Sequence, residues 1–165
     1  MNAAVYNVKS PSRVPYAEET YEHFTQHLTT YVGGAFAFSQ EVTKRFFRDH
    51  GEGGLAEGSG KKGTLIFTGV TGALKCNANF AAYGAARAGV RQLAQSMARE
   101  LSEKGVHVVH TVVNGHVVAD EGAEEVRTGG KMSAAAAGRV YLQLVRQEPE
   151  LWTHELDLRP AQEKF

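Results

Sequence analysis

The sequence predicts an α/β protein built on a parallel sheet of about four strands with three main helices. Three observations carry this expectation. Thr64-Leu-Ile-Phe-Thr68 and Val106-His-Val-Val-His-Thr-Val-Val113 are continuous runs of the kind found in strands covered on both faces. Two long segments, Glu18 to about Asp49 and Asn79 to Glu103, repeat apolar residues at helical spacing. The elements alternate strand and helix to the end of the chain, which is the rhythm of parallel crossovers.

Taken in order, Ala3-Ala-Val-Tyr-Asn-Val8 reads as the first strand, closed by a Ser-Pro-Ser turn. In the first long helix Phe24, Leu28, Tyr31, Ala35, Phe38, Val42 and Phe46 recur at steps of four and three. Gly33-Gly34 in its middle is a poor helix-interior pair and points to close backbone packing. Residues 51–63 are rich in glycine and read as a flexible surface loop. The strand Thr64–Thr68 then runs into the turn Gly69-Val-Thr-Gly72. The second long helix is dense in alanine and glycine, with Val90, Leu93, Met97 and Leu101 on one face. Lys104-Gly105 stops it before the strand Val106–Val113. Ser133 can cap a third helix reaching roughly Gln147 and ended by Pro149. His154-Glu-Leu-Asp-Leu158 alternates like a last strand.

The 165 residues have the length of a single domain. Eighteen basic against eighteen acidic residues give zero formal net charge, which excludes the electrostatic footprint of a general nucleic-acid or acidic-membrane binder. No run approaches the 18 or more apolar residues of a membrane span, and no basic, apolar leader opens the chain. A lone Cys76 permits no internal disulfide and suits a reducing, cytoplasmic setting.

From Gly63 to about Val118 the sequence resembles the short-chain dehydrogenase/reductases. The resemblance rests on Gly63-Thr-Leu-Ile-Phe-Thr-Gly-Val-Thr-Gly72, Tyr83-Gly-Ala-Ala-Arg-Ala-Gly-Val90, Gln95-Ser-Met-Ala-Arg-Glu-Leu101 and Asn114-Gly115. Trp152 to Pro160 is similar to the last strand of a bacterial-type branch, and the first strand and helix also fit. The resemblance implies a Rossmann-type sheet, NAD or NADP as cofactor, and redox of carbonyls and alcohols. It implies an Asn–Ser–Tyr–Lys tetrad in which Tyr and Lys stand four apart. At that spacing a cation lies one helical turn from a phenol and favours its ionised form, ready for proton exchange.

Tyr83 matches the family tyrosine and is the acid/base candidate, with packing as its other reading. Arg87 stands for the lysine: it keeps the charge, yet its planar fork cannot copy an ammonium's contacts. It reads as Tyr83's cationic helper, or otherwise as a solvated or phosphate-facing helix charge. Gly69 stands at the serine position, leaving Thr68 and Thr71 as the nearest hydroxyls, and Thr68 is the catalytic candidate. Tyr31 stands at the asparagine position. Asn7, Arg87, Asn114, Gly115 and Val117 match positions that would touch the cofactor. Ala3–Val8 matches the fourth family strand, so the family's first three strands and its Gly-rich phosphate turn have no counterpart here. The expectation is a truncated relative that binds NAD(P) weakly or not at all. Two functions follow: an impaired oxidoreductase, or a non-catalytic assembly module. Family helices pair across a two-fold axis, so a homo-oligomer is expected through helices 18–49 and 79–103. Ala81, Ala82, Gly84, Ala85 and Ala88 would form its smooth surface, with Phe36, Phe46 and Phe47 as anchors.

Other patterns are weaker. Gly58-Ser-Gly-Lys-Lys-Gly63 has the letters of a dinucleotide fingerprint but precedes a strand instead of following one. A Walker loop fails because Lys62 replaces the required Ser or Thr. His23 and His27 are one turn apart but lack a third metal ligand, and read as a solvated helix face. His107 and His110 fall on opposite faces of a strand. No metal site is expected.

Overall fold

The computed structural model describes residues 2–8 and 11–164. Four parallel strands form the main sheet: β1 (Ala3–Tyr6), β2 (Gly63–Gly69), β3 (Val106–Val113) and β6 (Glu155–Leu158), in the spatial order β1-β2-β3-β6. One face carries α1 (Tyr21–Leu28), α2 (Gly34–His50) and α3 (Ala81–Leu101); the other carries α5 (Ala134–Arg146). The predicted parallel α/β sheet is therefore present, with its central strands covered on both sides. Three small elements escaped the sequence reading. The pair β4 (Val117–Val118) and β5 (Met132–Ser133) flanks the short α4 (Glu124–Arg127). At two residues a strand leaves no periodicity to detect. Among the described residues no helix is long and apolar enough to cross a membrane.

Strand alternation divides the core. Leu65, Phe67, Val106 and Val108 face Ala86, Val90, Ala94 and Ala98 of α3, together with Tyr31 and Ala35. On the other face Ile66 and Val109 meet Leu144, with Tyr141 and Leu156 beside them. Small residues on α3 bring the helices close: a Cβ added at Gly89 would lie 2.7 Å from Val32. Ala82 and Gly84 are buried inside the chain, and Phe46 packs over Gly63, so part of the surface expected for self-association serves the core instead.

The first long helix is not uniform. Between α1 and α2 the chain makes a π-turn over Thr29–Gly33. The Tyr6 hydroxyl donates to the carbonyls of Thr30 and Tyr31 at 3.0 and 3.2 Å, capturing oxygens at that widened turn. A side chain at Gly34 would strike this hydroxyl at 2.7 Å, which explains the glycine. The turn puts Tyr31 into the core at 1% exposure.

Residues 51–63, glycine-rich by composition, are tied down at several points. Leu55–Glu57 forms a 3-10 turn, the Leu55 amide donates to Glu103, and buried Lys62 donates through Nζ to Gly53 at 2.6 Å. Lys61 Nζ donates to the carbonyls of Val145 and Gln147 at the end of α5, a helix-end position that suits a cation. Both lysines of the fingerprint-like run hold backbone. At the other end of α5, Ser133 caps as expected, its Oγ accepting from the Ala136 amide at 3.0 Å. Ser10, the first residue of the turn expected after β1, lies outside the described residues, as does Lys9.

Candidate functional site

Ligands of open parallel sheets lie beyond the carboxyl ends of the strands, and a cleft of about 900 Å³ opens there. The turn after β2 supplies Val70–Gly72 and Lys75–Asn77; α3 supplies Tyr83, with Phe80 just before it. Val113–His116 follow β3, and Arg159, Glu163 and Lys164 follow β6. Tyr83, Asn114 and Gly115 therefore share one cleft. Arg159 belongs to the tail that resembles the family's last strand, whereas Glu163 and Lys164 carry no signal in the sequence, and only the fold brings them in.

Tyr83 is half-buried and meets Tyr31 edge-on, ring centres 5.9 Å apart, and Phe80 at 6.0 Å. Both readings of this residue are physically present: it packs, and it lines the cleft. Arg87 differs from the expected solvated or phosphate-facing charge. It is 4% exposed, and its guanidinium donates to the carbonyls of Val8 at 2.6 Å and Thr68 at 3.2 Å. The same group lies 4.6 Å from the Tyr31 ring centre and 5.2 Å from that of Tyr83. Arg87 thus ties the ends of two neighbouring strands together while stacking on two aromatic faces, a geometry that a planar fork allows and an ammonium does not.

Thr68 is not brought to Tyr83. Its hydroxyl shares the Tyr141 hydroxyl with Thr111, at 2.9 and 2.8 Å, on the α5 face of the sheet. Strand alternation decides this: residues 65 and 67 face α3, so residue 68 faces away. At Gly69, where the family places serine, an added Cβ would overlap His110 Nε2 and come within 2.9 Å of the Thr111 carbonyl. His110 is buried, its Nε2 lacks a partner, and its Nδ1 lies 3.1 Å from Glu155. Glu155 is gripped by Arg91 through bonds of 2.6 and 2.8 Å, and that contact chiefly holds its carboxyl below the usual range. Gly69→Ser is therefore expected to destabilise the fold by about 2 kcal/mol through overpacking, without restoring a reactive hydroxyl. A melting temperature equal to the parent's would contradict this.

The expected cofactor-touching residues scatter. Asn7 is exposed beyond β1 and does not line the cleft. Asn114 lines it, but its side-chain amide donates to Glu163 at 2.8 Å. Gly115 has φ of 133° and lies so close to Pro160 that a Cβ would sit at 2.7 Å. Val117 pairs with Met132 outside the cleft. Arg87 and Asn114 direct their bonded donors at the chain's own oxygens, which does not fit the nicotinamide-ribose end of a dinucleotide. The histidines also sort themselves. His107 stacks on Trp152 while His110 meets Glu155, on opposite faces as expected. His27, expected at a solvated face, is buried. No group of three or more metal-ligating side chains occurs among the described residues.

The family profile described as short chain dehydrogenase matches residues 1–128. The chain belongs to the short-chain dehydrogenase family. A short-chain dehydrogenase from Rhodopseudomonas palustris superposes with a TM-score of 0.73 at 28% identity, covering 97% of this chain and 62% of that one. An acetoin dehydrogenase from Salmonella typhimurium gives 0.78 at 19% identity, over 97% of this chain and 64% of that one. A 4-hydroxyisoleucine dehydrogenase complexed with NADH and succinate gives 0.70 at 13% identity, over 96% and 67%. This short-chain dehydrogenase chain thus spans less than two thirds of the length of the first two. No curated protein matches it.

Proposed function

We propose that this chain is a short-chain dehydrogenase relative that keeps the family scaffold and a substrate-facing cleft but does not itself carry out dinucleotide-linked redox. The observation that carries the reading is the commitment of Arg87. The position that should offer donors to the cofactor ribose instead spends its hydrogen bonds on Val8 and Thr68, while its guanidinium stacks on the Tyr83 ring. The hydroxyl that should polarise a carbonyl is replaced at Gly69, where His110 fills the space. What supports this reading is therefore side-chain geometry, whatever else the whole protein contains. NADH, seen with one similar structure, belongs to that protein; for this chain NAD or NADP is an inference from the family.

Titration of this chain with NADH and NADPH tests the reading. The expected result is no saturable fluorescence or calorimetric signal corresponding to a dissociation constant below about 1 mM. A low-micromolar constant that is lost in Tyr83→Phe would overturn it and make the chain a working oxidoreductase.

A further inference from the structure

A second constellation is built from the segment after β1 and the start of α1. Ser12 Oγ is 3.0 Å from His23 Nε2, and His23 Nδ1 is 2.5 Å from Glu19 Oε1. Hydroxyl, imidazole and carboxylate thus stand in line, with one partner on each ring nitrogen. Once Nδ1–H is given to the carboxylate, Nε2 is left as an acceptor facing the hydroxyl, which is the arrangement that activates a serine. Local structure explains the placement. Thr20 caps α1, its Oγ1 accepting from the His23 amide at 3.1 Å. Glu19 therefore sits just before the cap and His23 in the first turn, four residues on. The Glu19 side chain is 9% exposed and that of His23 32%, so the acid lies inside and the base nearer the rim.

The group opens on a cavity of about 210 Å³ lined by Ser12, His23, Gln26, His27, Thr30 and Tyr31. His27 is 8% exposed; its Nδ1 donates to the His23 carbonyl at 3.1 Å, and its buried Nε2 has no partner. An unsatisfied buried nitrogen in the wall of a small pocket is costly unless a ligand or water reaches it. Gln26 and Thr30 add an amide and a hydroxyl to the cavity lining.

We propose that Ser12, His23 and Glu19 form a hydrolytic centre for small carboxylic esters. Ser12 Oγ bonds to the ester carbonyl carbon as His23 Nε2 takes its proton. The bond to the alcohol oxygen breaks, and the alcohol leaves with that proton. Water then attacks the acyl-serine, giving a proton to Nε2, and the carboxylic acid departs as Ser12 recovers its hydrogen. A cavity of about 210 Å³ suits an acyl group of a few carbons. Glu19 is a positioning residue that holds the ring in the active tautomer.

The test uses a fluorophosphonate, which phosphonylates activated serines far faster than ordinary ones, and p-nitrophenyl acetate. Fragment-ion mass spectrometry is expected to locate a stoichiometric adduct on Ser12 of the parent chain, with parallel loss of nitrophenol release. Ser12→Ala and His23→Asn should each lower that release at least about 100-fold, and Glu19→Gln at least about 10-fold while Ser12 is still labelled slowly. An unmodified Ser12 in the folded parent chain overturns the proposal, as does unchanged release in Ser12→Ala. Because the adduct is read on the parent chain, a variant that fails to fold cannot mimic that first result, and circular dichroism of Ser12→Ala confirms that the second is read on folded protein. Neither outcome depends on dinucleotide binding.

Discussion

Replacing Arg87 with methionine is expected to lower the free energy of unfolding by about 4 kcal/mol, the loss of two charge-assisted hydrogen bonds and two ring contacts in a buried place. For a chain of this length that is a fall in melting temperature of about 8–16 °C. The damage should be local first. Val8 loses its tether to α3, so amides of β1 should exchange faster than those of β3. Arg87→Lys should recover only part of the loss, since one ammonium cannot span both carbonyls and stack on both rings. Urea unfolding followed by circular dichroism, with amide exchange at β1, checks both variants. A change below about 1 kcal/mol in Arg87→Met would show that the contacts merely offset the cost of burying the charge.

Acidification is expected to cost about 2–3 kcal/mol of stability between pH 7.5 and pH 4.5 through His107 alone. Burial pushes this imidazole down to about 4, with Lys61 and His154 adding in the same direction and its bond to the Thr153 carbonyl opposing. The folded protein therefore keeps His107 neutral where the unfolded chain, with an ordinary value near 6.5, takes up a proton. Stability is full above that value and declines as pH falls toward 4. Burial also lowers His110, which adds to the effect with the same sign. Unfolding free energies measured across this range should flatten in His107→Phe, which keeps a ring against Trp152 and removes the titration. An unchanged slope in that variant would assign the acid sensitivity elsewhere.

Much of the fold was legible because its signals are local. Val106–Val113 is a run of β-branched residues broken only by two histidines, and its strand spans those residues. The 3.6-residue stripe and the Lys104-Gly105 stop placed α3, and Ser133 marked the start of α5. The first long helix was legible as one unit, but its π-turn was not. That turn exists because Tyr6, from another element, bonds carbonyls 24 and 25 residues further along the chain. Composition also misled at Lys61 and Lys62, since a glycine-rich segment carries no mark of the carbonyls its lysines will meet.

The sequence by itself determined the family, the parallel α/β order and the residue types at the positions read as matching the family tetrad, because each is written in residue identity and spacing along the chain. Tertiary structure alone decided what the replacements do. It turned the Thr68 hydroxyl to the α5 face, filled the space at Gly69 with His110, and closed Arg87 onto Val8 and Thr68. It also set Ser12 against His23. The physical reason is the same in each case. A side chain's chemistry depends on which donors, acceptors and rings reach it and on how far water is excluded, and those neighbours come from distant elements.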